Sequence, residues 1–423
     1  MKILINAYSC DPNRGREQGR GWNYPINIAK LGHQVWVLTR PDNQVVIEPA
    51  LQQISLPNLH FIYVDYPTWV ESLLETLLPK SRWLRRRSWQ IRYLTWQNQA
   101  YKVALDLDKK HDFDLAHHIT MGVITGGSEL WRLGKPFIMG PVGGGQIAPP
   151  TFKKYFGNAW VAESMRSFFI KHVVQFNLPL RQTMSHANLV LASNQDTADL
   201  AKRLGARKAE VFLDIGLPES RFMQKVEIRS QNSCLQLLWV AVLEPRKGLH
   251  FAFEALSQMK ASIPFRLTIL GSGSQKEMLP RLARAFGLED KIHWRGQVEW
   301  QEVFQAYRNN DVLIFPSLRD TSGAQLLEAM SQGMPIITLN HHGAKDIVPE
   351  NCGIKVPVVN PLQTVRLFAE AVEYMYANPE KRFRMGQNAY RFATTQSWEN
   401  RAVKLTQYYK KFLNLEKLDP RSH

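Results

Sequence analysis

Cysteine is scarce and scattered: Cys10, Cys234 and Cys352 are the only three in 423 residues. Their number and spacing exclude a disulfide framework and a zinc-type cluster, and suit a reducing cytosol. Long apolar runs are absent too. No stretch approaches the roughly 20 residues of a membrane span. The opening MKILINAYSC is too short for the apolar core of a secretory leader. The expectation is a cytoplasmic protein whose contact with a membrane is at most peripheral, at the inner face. Acidic residues are outnumbered: 53 Lys and Arg against 37 Asp and Glu leave a net charge of +16. That balance suits a polyanion or an anionic surface. Low-complexity segments are missing and 44% of the residues are apolar, so the chain is long enough for two or three cored domains.

What is present is an alternation of short apolar runs with amphipathic stretches, the pattern of parallel α/β domains. Lys2 to Ala7 reads as a first strand, followed by a long glycine-bearing loop, DPNRGREQGRGWN, then a helix from about Tyr24 to Leu31 and a strand from Gln34 to Thr39. Gly122 to Trp131 reads as the start of a helix and Tyr155 to His186 as a long helical region. The strand Lys135 to Met139 runs into Gly140-Pro-Val-Gly-Gly-Gly-Gln146, where consecutive glycines let a backbone approach a ligand. Leu235 opens a second alternating half after the polar Arg229 to Ser233. Within it, Asp311 to Asn340 stands out: an apolar strand, a turn, two acids eight residues apart (Asp320 and Glu328) and a helix ended by Gly333. In parallel sheets ligands sit beyond the carboxyl ends of strands, where helix N-termini favour anions.

The pattern acid-x7-Glu, then Ala-Met-x-x-Gly-x-Pro-Ile, over Asp320 to Ile336 resembles the signature of the retaining glycosyltransferases of family 4, the glycosyl transferases group 1. Lys247-Gly248 after the first strand of the second half, Asp114-x-x-His117, Cys10 to Asn23 and Gly140 to Gly145 resemble further segments of that family. The resemblance implies the GT-B fold, an α/β arrangement of two Rossmann-like domains facing across a cleft. An N-terminal acceptor-side domain over 1–215 and a nucleotide-sugar-binding domain over 216–395 are expected. The segment 396–423 would be a helix returning to the N-terminal domain.

It implies roles as well. Arg246 and Lys247 would clamp the donor diphosphate, Asp320 would contact the donor sugar, and His117 would orient donor and acceptor. Glu328 would bind the ribose hydroxyls, and the amides of Ser322, Gly323 and Ala324 would meet phosphate and sugar. Gly271 and Gly273 resemble the loop near the diphosphate, and Gly296 to Val298 the segment that reads the base. Gly15, Glu17, Gly19, Thr120, Gly143, Gly144 and Gly145 would border the acceptor side. The chain departs from the pattern twice: Asp320 stands where Glu is usual, and Val242 where an Arg usually precedes the Lys by five residues.

Residues 80–110 carry nine basic residues against Asp106 and Asp108, interleaved with Trp83, Trp89, Tyr93, Trp96 and Tyr101. With the apolar Trp69 to Leu78, this is the chemistry of a segment lying on an anionic membrane surface, or of an aromatic face packed on a sheet. No RNA-binding motif accompanies the charge, so nucleic acid is not expected as a partner. Two Asp-x-Asp pairs, Asp106/Asp108 and Asp112/Asp114, suggest a metal. Residues two apart on a helix do not share a face, and the resemblance implies a GT-B enzyme that needs no divalent ion, so neither a metal nor a cofactor is expected, and the nucleotide-sugar is a substrate. The expected partners are that donor and a glycan or lipid-linked acceptor. A catalytically weak binding or scaffold subunit of a glycan-assembly system is the competing reading, motivated by Asp320 and Val242.

Overall fold

The computed structural model describes residues 1–67, 82–223 and 234–416. Trp69 to Leu78, Lys80 and the linker Arg229 to Ser233 lie outside the described residues, as do the side chains of residues 82–90. Seven strands, β1 (Lys2–Asn6), β2 (Gln34–Thr39), β3 (Leu59–Tyr63), β4 (Leu115–His118), β5 (Phe137–Val142), β6 (Leu189–Ala192) and β7 (Ala209–Val211), form one parallel sheet ordered 3-2-1-4-5-6-7. Six more, β8 (Leu235–Val240), β9 (Phe265–Leu270), β10 (Ile292–Gly296), β11 (Val312–Phe315), β12 (Ile336–Leu339) and β13 (Gly353–Val356), form a second, ordered 10-9-8-11-12-13. Both are doubly wound sheets with Rossmann-type order.

The strands are apolar on both faces because both faces are covered. On the first sheet, Ile3, Ile5, Val35, Val37, Leu189 and Leu191 pack into one core. Leu4, Leu38, Ala116, Met139 and Val190 pack into another on the opposite side. The second sheet is divided the same way, with Leu237, Ile269 and Ile314 on one side and Leu238, Leu270 and Leu313 on the other. The last helix, Trp398–Glu416, crosses back to the first sheet. Trp398, Ala402, Leu405, Tyr409 and Phe412 join the core beneath the helix Arg16–Lys30, and Trp398 meets Tyr24 edge to face at 5.2 Å.

Three local expectations are corrected. The glycine-bearing stretch after β1 is helical from Arg16 onward, not a loop up to Tyr24. Its glycines serve close packing: a Cβ on Gly21 would lie 2.0 Å from the Ser9 carbonyl oxygen and 3.1 Å from Thr120 Cγ2. Gly122 to Trp131 is not a helix but two short 3-10 turns, Ile124–Gly126 and Leu130–Leu133, separated at Gly127 with φ +63°. The long helix read over Tyr155 to His186 is broken into Trp160–Phe168, a π-helical turn Phe169–Val173, a 3-10 turn Val174–Phe176 and Leu178–His186. Just before it, Phe152, Tyr155 and Phe156 leave the first sheet and enter the core of the second. There Phe152 and Tyr155 lie 6.1 and 5.5 Å from the Phe251 ring, so the two halves share packing as well as a boundary.

Candidate functional site

In sheets of this order the ligand crevice forms where strand order reverses, here between β1 and β4 and between β8 and β11. A cavity of 910 Å³ lies between these points. One wall comes from the turn after β1 and the following helix, through Asn13, Arg14, Gly15, Gln18, Gly19 and Trp22. The other comes from Val240, Trp300, Val303, Ala324, Gln325 and Glu328, with the segment Ile215 to Arg221 and Trp398 closing it. Glu328 accepts a hydrogen bond from the Tyr307 hydroxyl at 3.0 Å. Burial, and then the Glu328 carboxylate, push that hydroxyl well above its ordinary range and keep it a donor. The Arg221 guanidinium lies 3.8 Å over the Trp300 ring. The helix Ala324–Ser331 starts at Gly323 with φ +72° and no capping side chain, so its first amides are not taken up by a cap.

The cationic half is built where two loops interlock. Leu318 N and the Ser317 hydroxyl donate to the Arg246 carbonyl at 2.8 and 3.1 Å, which locks the loop after β11 onto the loop after β8. Lys247, with a side chain only 7% exposed, donates to Asp320 Oδ2. Arg246 pairs with Glu244 at 2.8 Å and lies 4.0 Å from Asp320 Oδ1. Burial would raise the Asp320 carboxyl, but Lys247, then Arg246 and the Thr321 amide, hold it below the ordinary carboxylate range. Gly248 makes the interlock possible. Its φ is +72°, and a Cβ there would lie 1.9 Å from the Pro316 carbonyl oxygen. Gly248→Ala is expected to lower unfolding stability by at least about 3 kcal/mol, measured by urea denaturation.

The glycine run of the first half meets this assembly directly. A Cβ on Gly143 would fall 2.2 Å from Thr321 Cγ2. Gln146 Nε2 donates to the Thr321 hydroxyl at 2.7 Å and Asn194 Nδ2 to its carbonyl at 2.8 Å. Gly144 and Gly145 are held through Gln146 and Thr197. Arg166 donates to the carbonyls of Gly144 and Gln146 at 2.7 and 2.9 Å, while Glu163 faces Arg319 Nε at 2.7 Å. Burial, and then the nearby Arg319, bring Arg166 down to about 10, with Glu163 opposing. Arg166, Arg319, Gln146 and Asn194 were not singled out from the sequence as site residues. Their partners are distant in the chain, and only the basic character of Arg166 and the position of Gln146 after three glycines gave a signal.

The structure therefore brings Gly15, Gly19, Ala324 and Glu328 to one cavity, and groups Arg246, Lys247, Asp320, Ser322, Gly323 and Gly143 beside it. Glu17 accepts from the Gly122 amide at 2.6 Å, and Thr120 from Ser9 N at 2.9 Å. These two fasten the loops after β1 and β4 together. Gly271 and Gly273 pack on the backbone of Ala241 and Leu243. Gly296 ends the edge strand β10 with φ +68°, and Val298 packs beside Phe304 and Tyr307.

His117 is a correction. It does not enter the cleft: it is fully buried, with Nδ1 2.6 Å from the Tyr409 hydroxyl and Nε2 2.7 Å from the Gly140 carbonyl. Burial brings its imidazole down to about 3. β4 continues to His118 before its end, so both histidines point into the layers that cover the sheet, His118 toward Tyr93 on the opposite face. The Asp-x-Asp acids are engaged locally. Asp108 and Asp114 accept from the amides of Phe113 and Lys2, and Asp106 and Asp112 pair with Lys109 and Lys135.

Residues 222–392 match the family model described as glycosyl transferases group 1. WcaL of Salmonella typhimurium, named as a colanic acid biosynthesis glycosyltransferase, is 30% identical over 176 residues, 40% of this chain and 43% of that protein. The D-inositol 3-phosphate glycosyltransferase of Corynebacterium urealyticum is 25% identical over 241 residues, 52% of this chain and 56% of that one. The chain thus spans about half the length of these relatives, or less. HepE of Anabaena, solved with UDP, superposes with a TM-score of 0.62 at 16% identity over 97% of this chain and all of that one (100%). Sucrose-phosphate synthase from Thermosynechococcus elongatus gives 0.64 at 16% identity over 98% of this chain and 100% of that one. The fold is the GT-B fold of these structures.

Proposed function

We propose that this chain, whose residues 222–392 match the glycosyl transferases group 1 model, moves a sugar from a UDP- or GDP-sugar to a polysaccharide, glycolipid or small-molecule acceptor. Transfer proceeds with retention of configuration and without a metal ion or resident cofactor. The observation that carries the reading is the cavity at the facing switch points, with Glu328 on its wall and the Arg246–Lys247–Asp320 cluster at the end of β11. Glu328 holds the ribose hydroxyls, its orientation set by Tyr307. The uncapped amides at Gly323 and Ala324, with Arg246 and Lys247, take the diphosphate. Asp320 holds sugar hydroxyls, and its bond to Lys247 links recognition of the sugar to neutralisation of the leaving group. The C1–O bond to the diphosphate breaks as the acceptor oxygen bonds to C1 on the same face. The acceptor proton passes to the departing diphosphate oxygen, so no protein base is required. His117, buried against the Tyr409 hydroxyl and the Gly140 carbonyl and not among the residues lining the cavity, supports β4 and the Gly140 turn. The UDP bound to HepE supports a nucleotide donor, and the name of WcaL supports a polysaccharide product.

The test is release of nucleoside diphosphate from UDP- and GDP-sugars with added glycan or lipid extract, and the anomeric configuration of the product by NMR. Retained configuration is expected, and Glu328→Gln should raise the donor KM by roughly tenfold or more. Val242, 38% exposed where an Arg would extend the clamp, favours the scaffold reading. Nucleotide binding with no transfer to any acceptor extract would support that instead.

A further inference from the structure

Asp320 is flanked by two residues that are both held by the opposite half of the chain. Thr321, which follows it, accepts at its hydroxyl from Gln146 and at its carbonyl from Asn194, at 2.7 and 2.8 Å. Arg319, which precedes it, has Nε 2.7 Å from Oε1 of Glu163. Glu163 lies on the helix Trp160–Phe168, which bridges the halves. Trp160 packs against a core of the second sheet, and Ile170, just beyond the end of the helix, joins a core of the first. The side chain of Glu163 is 8% exposed and that of Arg319 17%, so solvent and salt screen the pair little. Neither Glu163 Oε1 nor Arg319 Nε completes a directed hydrogen bond, so charge is what holds the contact.

Glu163 faces a second cation as well. Arg166 Nη1 lies 3.9 Å from it, and the same guanidinium donates to the carbonyls of Gly144 and Gln146. No other acid occurs between residues 150 and 186. One buried carboxylate therefore sits between two arginines, one fastened to the glycine run and the other next in sequence to Asp320. Ser317 and Leu318 pin the start of the Asp320 loop to the Arg246 carbonyl, so the cationic turn keeps its place when Arg319 moves. Asp320 has no such second anchor on its own half before Thr321, whose side chain and carbonyl are held from across the joint. We propose, on the reading of Asp320 as the acid that holds the donor sugar, that Glu163 is a positioning residue for it. Glu163 does not line the cavity. It sets the loop that carries Asp320 from the opposite half, in register with the glycine run, and so governs recognition of the sugar and not of the nucleotide.

Calorimetric titration of the full chain with UDP, GDP and their sugars tests it. The quantity read is the dissociation constant of the nucleotide-sugar that binds, divided by that of its nucleoside diphosphate. Glu163→Gln, Arg319→Gln and the double variant should each raise this ratio roughly tenfold, the loss of about one hydrogen bond to the sugar, while the constant for the diphosphate alone stays within about twofold. The double variant should do no more than either single one, because all three break the same contact. It also removes both charges, so it keeps the test open if Glu163→Gln, which leaves two arginines without their acid, fails to fold. Glu163→Asp, which retains the charge, should fall between wild type and Glu163→Gln. Lys154→Gln/Glu254→Gln removes an exposed ion pair at 2.8 Å that also joins the halves, and should leave the ratio unchanged. An unchanged ratio in the folded double variant would overturn the proposal, as would an equal weakening of both ligands or additive effects of the two single substitutions. Failure of wild type to bind any of these nucleotides is a different result: it would remove the donor site itself, and the positioning role with it.

Discussion

Lys247→Met is expected to lower kcat/KM for the nucleotide-sugar by about a thousandfold and to destabilise the fold as well. The kinetic loss follows from removing a positioned cation from a leaving diphosphate, which typically costs about 10² to 10³ in rate. The stability loss has a separate origin. Asp320 is almost enclosed, and Lys247 is the first of the groups that keep its carboxyl ionised. A buried carboxylate left without its main partner costs about 3–5 kcal/mol. Lys247→Met/Asp320→Asn removes both charges, so most of the stability should return while transfer remains lost. Urea denaturation and steady-state kinetics on the two single variants and the double variant separate the effects. A Lys247→Met enzyme within threefold of wild type would contradict the placement of the diphosphate.

Acid should unfold this protein unusually early. Burial brings His117, His118 and His341 each down to about 3 from an ordinary 6.5. In the unfolded chain each takes a proton near 6.5; in the folded protein each resists until about 3. The stability they contribute is therefore fully present above pH 6.5 and lost as pH falls toward 3, at about 1.4 kcal/mol per pH unit for each histidine. Together they remove about 6 kcal/mol by pH 5, a large part of the roughly 5–15 kcal/mol typical of a folded domain. Asp320, held below its ordinary range, adds a further loss at lower pH as it is protonated. Unfolding free energy measured at pH 7.5, 6 and 5 should fall steeply, and a flat profile would show that these imidazoles titrate freely. His117→Gln should remove about a third of the pH slope.

The strands were legible because parallel sheets covered on both faces demand uninterrupted apolar runs, and runs such as Val312 to Phe315 contrast sharply with the polar turns that follow. Asp320 and Glu328 stood out as two acids beyond a strand at an expected ligand crevice, and Lys247 as a cation between a strand and a helix, but their individual roles came from the resemblance of their motifs to the glycosyltransferase family. Other features leave no local mark. Gly19 and Gly21 read as helix breakers, yet they sit inside a helix because Arg14 and Ser9 carbonyls press against it. His117 and His118 are adjacent, and nothing in the order of residues shows that β4 runs far enough to bury both. Phe152 and Tyr155 look like any aromatic pair until Phe251, far along the chain, supplies their partner. Glu163 with Arg319, and Gln146 with Thr321, are likewise pairings across the chain that no window of sequence contains.

The most direct test of the central claim is a thermal-shift panel of UDP, GDP and ADP and their sugars on wild type and Glu328→Gln. One nucleoside diphosphate and its sugars should raise the melting temperature of wild type, and the rise should shrink markedly in Glu328→Gln. No stabilisation by any of them, or an equal rise in both proteins, would contradict a nucleotide-sugar site at the Glu328 cavity.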